Sequence, residues 1–469
     1  MRVFQDYEAF LETKAVTPTP CGFEPDTALL PRAIKPFQRD ITTWACRRGR
    51  AAIFAGTGLG KTLMELAWAT QIAEHAQGQV LLLTPLAVAE QTVREAQKFG
   101  VEGVAYAAND AAIKGPITVT NYDRRDKFDL SQFAGIICDE SGILKDHASK
   151  TRIELTEACR QTPYLLCGTA TPAPNDWTEL GQHAEFLGVS SAKEMLATFF
   201  VHEGSVRADA TKEDWRLKGH AQDEFWRWVA SWAVMIRHPR ELGYEEPGYD
   251  LPPLHMEQVT VKIDWTPRDG MLFAKEAATL QERIGARRDS IEDRVAAAAE
   301  IVARKPNEPW LVWCNLNAEA DLLVKAIPGA VNVEGSDSAD FKIKNLLGFC
   351  NNQPRILVSK PKIAARGMNY QHCCNAVFVG LSDSFEQLFQ AVRRCWRFGQ
   401  ERPVTVYLIA SELEGAVVAN LQKKERKYEA MVDAMAAHMK DLTRNAVRGG
   451  RVVTAKYEPK QPMELPSWL

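Results

Sequence analysis

Residues 55–62 read Ala-Gly-Thr-Gly-Leu-Gly-Lys-Thr. Glycines at every second position, closed by a lysine and a threonine, are suited to holding phosphate. Gly56, Gly58 and Gly60, with Thr57 and Leu59 between them, let the backbone curl so that its N–H groups face phosphate oxygens, and a following helix N-terminus adds partial positive charge. In such a loop Lys61 would reach the β- and γ-phosphates and the Thr62 hydroxyl would ligate Mg²⁺. Ala55 replaces the first glycine of the strict pattern GxxxxGK[ST].

Two further groups could complete phosphoryl chemistry. The apolar string Ile136-Ile137-Cys138 runs into Asp139-Glu140. Two acids after a strand are often only the start of a helix. Downstream of a phosphate loop they read as a pair in which Asp139 holds the metal and its water shell and Glu140 polarises the attacking water. In QAVRRCWRFGQ, residues 390–400, Gln390, Arg394 and Arg397 fall at i, i+4 and i+7, which predicts one helix face. Two such arginines are commonly plain surface, but offered across a cleft they could stabilise the charge of a transferring phosphoryl group, an effect worth about 10³–10⁵ in rate where it occurs.

The elements needed to position these groups are legible as alternating strands and helices, the pattern of a parallel sheet with crossover helices. Strand-length apolar runs are Ala51–Ala55, Val80–Thr84, Ile117–Thr120, Ala134–Cys138 and Tyr164–Cys167, with helices expected over Leu63–Ala76 and Leu86–Phe99. A second series follows: His255–Ile263, Trp310–Cys314, Ala330–Val333, Arg355–Val358, Ala376–Val379 and Val404–Ile409. Helices are expected at Asp269–Arg304 and Glu412–Asp441. Between the two series the stretch 188–250 reads as helical. There Phe225, Trp228, Val229, Trp232, Met235 and Ile236 stand at helical spacing, a packed stripe rather than a platform for stacking bases.

The expected organisation is therefore an N-terminal extension (1–30), a first α/β lobe (31–187), a helical insertion (188–242), a Pro/Gly-rich linker (243–254), a second α/β lobe (255–445) and a basic tail (446–469). The 469 residues fit a prior of two to four domains. With 46% apolar and 25% charged residues, the composition excludes a mostly disordered, collagen-like or coiled-coil chain. No apolar run is long enough for a membrane span, and the first residues lack the apolar stretch of a secretory signal. A cytoplasmic protein without membrane association is expected. Its ten cysteines form no CxxC pair and its nine histidines show no ligand spacing, so a reducing compartment and no structural zinc are expected. Net charge is −3, yet residues 421–460 hold ten Lys/Arg against five Asp/Glu. Such a stretch can track phosphates or form an ordinary solvated helix face.

Taken together, these motifs resemble those of superfamily 2 helicases and translocases of the Swi/Snf branch, in the compact form common in phages and prophages. The resemblance runs in order over residues 35–430. AGTGLGKT is similar to motif I (AxxGxGKT), its alanine included, and KPFQRDITTW to the upstream segment whose glutamine, here Gln38, reads adenine. LLLTPLAVAEQTVREAQKF and ITVTNYD resemble the next two motifs, with Thr84 and Thr120. DESGILKDHASK is similar to the DExHxxKNxxS stretch and GTATPAPNDWTEL to motif III, with Thr169 and Thr171. IRHPRELGYEEPGYDLPPLHMEQVTV resembles the arginine-bearing segment and LPP linker that lead into the second lobe. ILVSKPKIAARGMN resembles motif V, with Ser359 and Gly367, and QAVRRCWRFGQ fits QAxxRxxRxGQ at every specified position. Gly142 stands where the family has histidine, Ala364-Ala365-Arg366-Gly367 stands for GGxG, and SDSFEQ replaces an aromatic-Asn-Pro.

The resemblance implies an α/β fold of two RecA-like P-loop NTPase lobes with parallel sheets. ATP and Mg²⁺ would lie in the cleft, with Gly367 and Gln390 added to the nucleotide-binding set and Lys61, Glu140, Arg394 and Arg397 as the catalytic set. Nucleic acid would lie across both lobes, gripped through its backbone near Thr84, Thr120, Asn315 and Ser359. The implied partner is DNA, duplex and sequence-nonspecific, with any targeting left to protein partners or the terminal extensions. The implied activity is ATP-driven translocation on DNA. An ATP-gated DNA clamp and an RNA-remodelling ATPase are the alternatives.

Overall fold

The computed structural model describes residues 21–86, 88–145, 149–174, 176–203, 214–262, 288–365, 368–382 and 384–448. The chain divides into two compact units. One runs to Glu246 and takes up the chain again from Met431; the other is Pro247–Ala430. The boundary at 246/247 falls inside the stretch read as a linker.

The first unit is built on strands β1 (Arg50–Ala55), β2 (Gln79–Thr84), β3 (Val104–Tyr106), β4 (Ile117–Asn121), β5 (Phe133–Asp139) and β6 (Tyr164–Thr169). A hairpin, β7 (Phe200–Glu203) with β8 (Asp214–Leu217), precedes β9 (Ala233–Ile236). The main sheet has the order β3-β4-β2-β5-β6-β1-β9, and every pairing is parallel. Strands covered on both faces read as unbroken apolar runs, which is why five of the seven were visible in the sequence.

The strand β9 corrects the reading of 188–242 as helical. Phe225, Trp228 and Val229 do lie on a helix, Gln222–Ala230, but Met235 and Ile236 belong to a strand that extends the sheet beside β1. All six residues of the stripe are buried, as expected of core rather than of a stacking platform. Helical and strand periods cannot be separated over so short an apolar run.

The second unit holds β10 (Leu254–Val261), β11 (Trp310–Trp313), β12 (Ala330–Val333), β13 (Ile356–Ser359), β14 (Asn375–Phe378) and β15 (Val404–Ser411). Their order is β10-β15-β14-β11-β13-β12, again wholly parallel. Helices Ile291–Ala303 and Asn317–Ala326 pack on this sheet through Val295, Ala298, Ile301, Val302, Ala320 and Leu323. The expected helix from Asp269 lies outside the described residues up to 287. The last helix, Gly415–Val447, begins in the second unit and, from Met431 on, belongs to the first; the second lobe therefore does not run unbroken to residue 445. Residues 1–20 and 449–469, with most of the expected extension and tail, also lie outside the described residues.

Candidate nucleotide site

In open parallel sheets ligands bind at the carboxyl ends of the strands. Three neighbours in the first sheet, β5, β6 and β1, carry the predicted groups at that end. β1 leads into residues 56–60, and a helix starts at Lys61 and runs to Ala76. Gly58 and Gly60 have φ of +89° and +78°, a region that costs other residues about 1–2 kcal/mol. At Gly60 a Cβ would also stand 2.3 Å from Gln38 Nε2.

That contact explains Gln38. Its helix, Pro36–Arg48, starts with proline, and Gln38 is almost fully buried. The side-chain amide donates to the Leu59 carbonyl at 2.8 Å and accepts from Lys35 N at 2.9 Å. Gln38 thus clasps the glycine loop from behind.

Lys61 is half-buried and its Nζ donates to the Ala55 carbonyl at 3.3 Å. Thr62 follows it on the first turn. On β5, Asp139 is buried; Oδ1 accepts from Glu140 N at 2.9 Å and its carbonyl accepts from Tyr122 Oη at 2.7 Å. Burial, with the Glu140 charge adding to it and Lys61 opposing, pushes the Asp139 carboxyl up to about 7. Glu140 sits at φ 53°, ψ 48°, left-handed backbone that costs a non-glycine residue on the order of 1–3 kcal/mol.

Glu65, one turn beyond Lys61, went unnoticed in the sequence. It is 1% exposed, and neither carboxylate oxygen has a hydrogen-bond partner among the described residues. Burial, then repulsion from Asp139, raises its pKa well above the ordinary carboxylate value. Space for it comes from Gly168 of β6, where a Cβ would fall 1.9 Å from Oε1. A buried acid in an otherwise apolar helix face was the available signal. The donor set of Thr62 hydroxyl and Asp139 carboxylate consists of hard oxygens, the kind Mg²⁺ takes, and the excess of buried acid over cation suits a positive ion.

Thr169 ends β6 and Thr171 follows in the loop beyond it. Both are buried, and Thr169 Oγ1 accepts from Thr171 N at 3.2 Å. Thr84 and Thr120 are fully buried. Thr84 Oγ1 donates to the Pro85 carbonyl at 3.1 Å and Thr120 Oγ1 to the Ala107 carbonyl at 2.8 Å. Both hydroxyls are thus bonded to main-chain carbonyls at this edge of the sheet.

The second unit carries its own set at the corresponding strand ends. Ser359 is buried, donating to the Val333 carbonyl at 2.7 Å. Asn315 N donates to Glu319 Oε2 at 2.7 Å. Gln390 lies on the helix Phe385–Val392, with Nε2 3.4 Å from Glu386 Oε1. That helix ends at Val392, which corrects the expectation that Gln390, Arg394 and Arg397 share one helix face. The turns beyond it bring the arginines together by another route: Arg394 Nη1 and Arg397 Nη1 both donate to the Met368 carbonyl at 3.2 Å, and Arg394 Nε donates to the Gln390 carbonyl at 3.1 Å. Gly367 lies outside the described residues.

Sequence reasoning also missed a buried ion cluster in this unit. Arg294 Nη1 donates to Glu319 Oε1 at 2.6 Å and to the Val379 carbonyl, and Nε donates to Ser290 Oγ at 2.9 Å. Glu414 stands 3.9 Å from the same guanidinium and accepts from Ser411 N and Oγ, each at 3.0 Å.

Residues 31–174 match the family model for the type III restriction enzyme, res subunit. The match ends before the second sheet. No curated protein matches the chain. Among solved structures the chain is similar to the Sulfolobus solfataricus SWI2/SNF2 ATPase core in complex with dsDNA, at 16% identity and a TM-score of 0.40, covering 91% of this chain and 98% of that one. Over residues 31–174 the chain therefore resembles superfamily 2 helicases and translocases, at the level of the superfamily.

Proposed function

We propose that the chain is an ATP-dependent nucleic-acid motor, of the Swi/Snf-like and phage type, that translocates on duplex DNA. The observation that carries the reading is the convergence of Lys61, Thr62, Asp139 and Glu140 at the carboxyl ends of β1 and β5, which flank β6 in one parallel sheet. Bound Mg²⁺ would neutralise phosphate charge. Lys61 would leave the Ala55 carbonyl for the β- and γ-phosphates, Thr62 and Asp139 would hold the ion, and Glu140 would take the proton of the attacking water. Arg394 and Arg397, held on one carbonyl, would present paired guanidinium groups to the charge that develops on the transferring phosphoryl group.

The test is ATP turnover by the full chain with no nucleic acid, duplex DNA or duplex RNA. Strong stimulation by DNA is expected. Stimulation by RNA alone would replace the reading with an RNA-remodelling ATPase, and stimulation by DNA without displacement of a triplex-forming strand would replace it with an ATP-gated clamp. Lys61→Ala should weaken ATP binding at least about a hundredfold, the loss of one or two charge-assisted hydrogen bonds. Arg397→Ala should keep nucleotide affinity within about threefold and lose most of the turnover, an interaction made only in the transition state. A fully active Arg397→Ala chain would exclude that role for the arginine.

A further inference from the structure

Directly after the acidic pair, Ser141 Oγ lies 3.1 Å from His183 Nε2. Both residues are fully buried. His183 belongs to the helix Leu180–Phe186, which follows the loop that leaves β6 at Thr169. Its ring also meets Phe54 of β1 edge to face, with centroids 5.3 Å apart and planes at 80°. One imidazole thus touches the strand that enters the glycine loop and the turn that carries Glu140, from the helix behind Thr169 and Thr171.

We propose that His183 is a positioning residue for ATP hydrolysis, fixing the Glu140 turn through the Ser141 hydroxyl and tying its position to the loop after β6. The inference rests on the nucleotide-site reading above and adds a residue to it. The turn needs such an anchor because Glu140 holds left-handed backbone, which persists only where the surroundings over-determine it. At Gly142 a Cβ would stand 3.9 Å from Thr169 Oγ1 and from the Thr171 carbonyl, so the residue at 142 itself offers no side chain to the β6 loop. The link is made one residue earlier, through Ser141. Burial keeps the imidazole neutral, so the contact is a neutral hydrogen bond in which either group can donate, according to tautomer.

The test compares Ser141→Ala, His183→Leu, His183→Gln and the double variant Ser141→Ala/His183→Leu in the full chain. Each is read as nucleotide affinity, single-turnover hydrolysis rate and thermal midpoint. Outer partners that orient a reactive group typically contribute about 10–100-fold in rate. Ser141→Ala and His183→Leu should each lose that much in hydrolysis with nucleotide affinity within about threefold. The double variant should be no slower than the worse single one, because the two act through one bond. Glutamine, whose amide can occupy the place of Nε2, should restore part of the rate. Should His183→Leu fail to fold, Ser141→Ala decides by the same criterion. Unchanged hydrolysis in Ser141→Ala, or multiplicative losses in the double variant, would overturn the inference and leave the proposed function standing. A wild-type chain that binds ATP without splitting it would overturn both.

Discussion

The two sheets present the same kind of edge with opposite electrostatics. In the second unit, Glu319 and Glu414 are buried, yet each is satisfied: Arg294 lies against both, and main-chain N–H groups of Asn315, Leu316 and Ser411 fill remaining lone pairs. In the first unit, Asp139 and Glu65 are buried too, with no guanidinium bonded to either among the described residues. The cation that opposes their charge, Lys61, is bonded to a main-chain carbonyl. A closed ion cluster fixes a loop. An open one stores a demand for positive charge, and stabilises the chain least when nothing is bound.

The contrast can be broken by measuring signs. Removing the arginine from the closed edge should be the most damaging change. Arg294→Met should cost about 3–5 kcal/mol, the penalty for stranding buried carboxylates, seen as a lowered urea midpoint. A loss under about 1 kcal/mol would show that the cluster does not lock the edge.

At the open edge the sign should reverse. The Asp139 carboxyl titrates near 7 in the fold against an ordinary 3.8, so the folded chain binds more protons between those values. Its destabilising effect is absent below about pH 4 and complete above about pH 7. Asp139→Asn should therefore stabilise the fold at pH 8 by on the order of 2–4 kcal/mol, seen as a raised thermal midpoint, raise that midpoint little at pH 4, and lose hydrolysis. A lowered midpoint at pH 8 would mean that the edge is already compensated.

A smaller effect sharpens the acid side. His183 titrates near 4 in the fold against an ordinary 6.5. The unfolded chain binds the extra proton in that window, so stability should fall as pH drops from about 6.5 to 4, by up to about 3 kcal/mol. His183→Leu should flatten that slope in equilibrium unfolding across the range. An unchanged slope would place the acid sensitivity elsewhere.

Much of this arrangement could be read beforehand. The strands that lead to Thr62, Asp139 and Thr169 were apparent because buried parallel strands are continuous apolar runs, followed here by Gly-Lys-Thr, Asp-Glu and Gly-Thr. Other features escaped, Glu65 among them. The strand β9 was absorbed into a tryptophan-rich helix because its Met235 and Ile236 continue the helical spacing of Phe225, Trp228, Val229 and Trp232. The helix carrying Gln390 ends at Val392, so the arginine spacing was right while the geometry assumed for it was not. The bonds of Arg294 to Glu319 and of Ser141 to His183 join residues 25 and 42 apart, and no local pattern encodes a pairing that only the fold creates.

The final helix has a consequence for how the protein is made. Its second half supplies Asp433 to Arg237 at 2.5 Å, stacks His438 on Trp226, and returns Arg448 to the Leu242 carbonyl at 3.1 Å. The amino-terminal unit thus depends on residues that the ribosome delivers only after the whole of the other unit has been synthesised. Growing from the N-terminus, the nascent chain would wait with that aromatic surface uncovered, and its first-born unit would be the last to be finished.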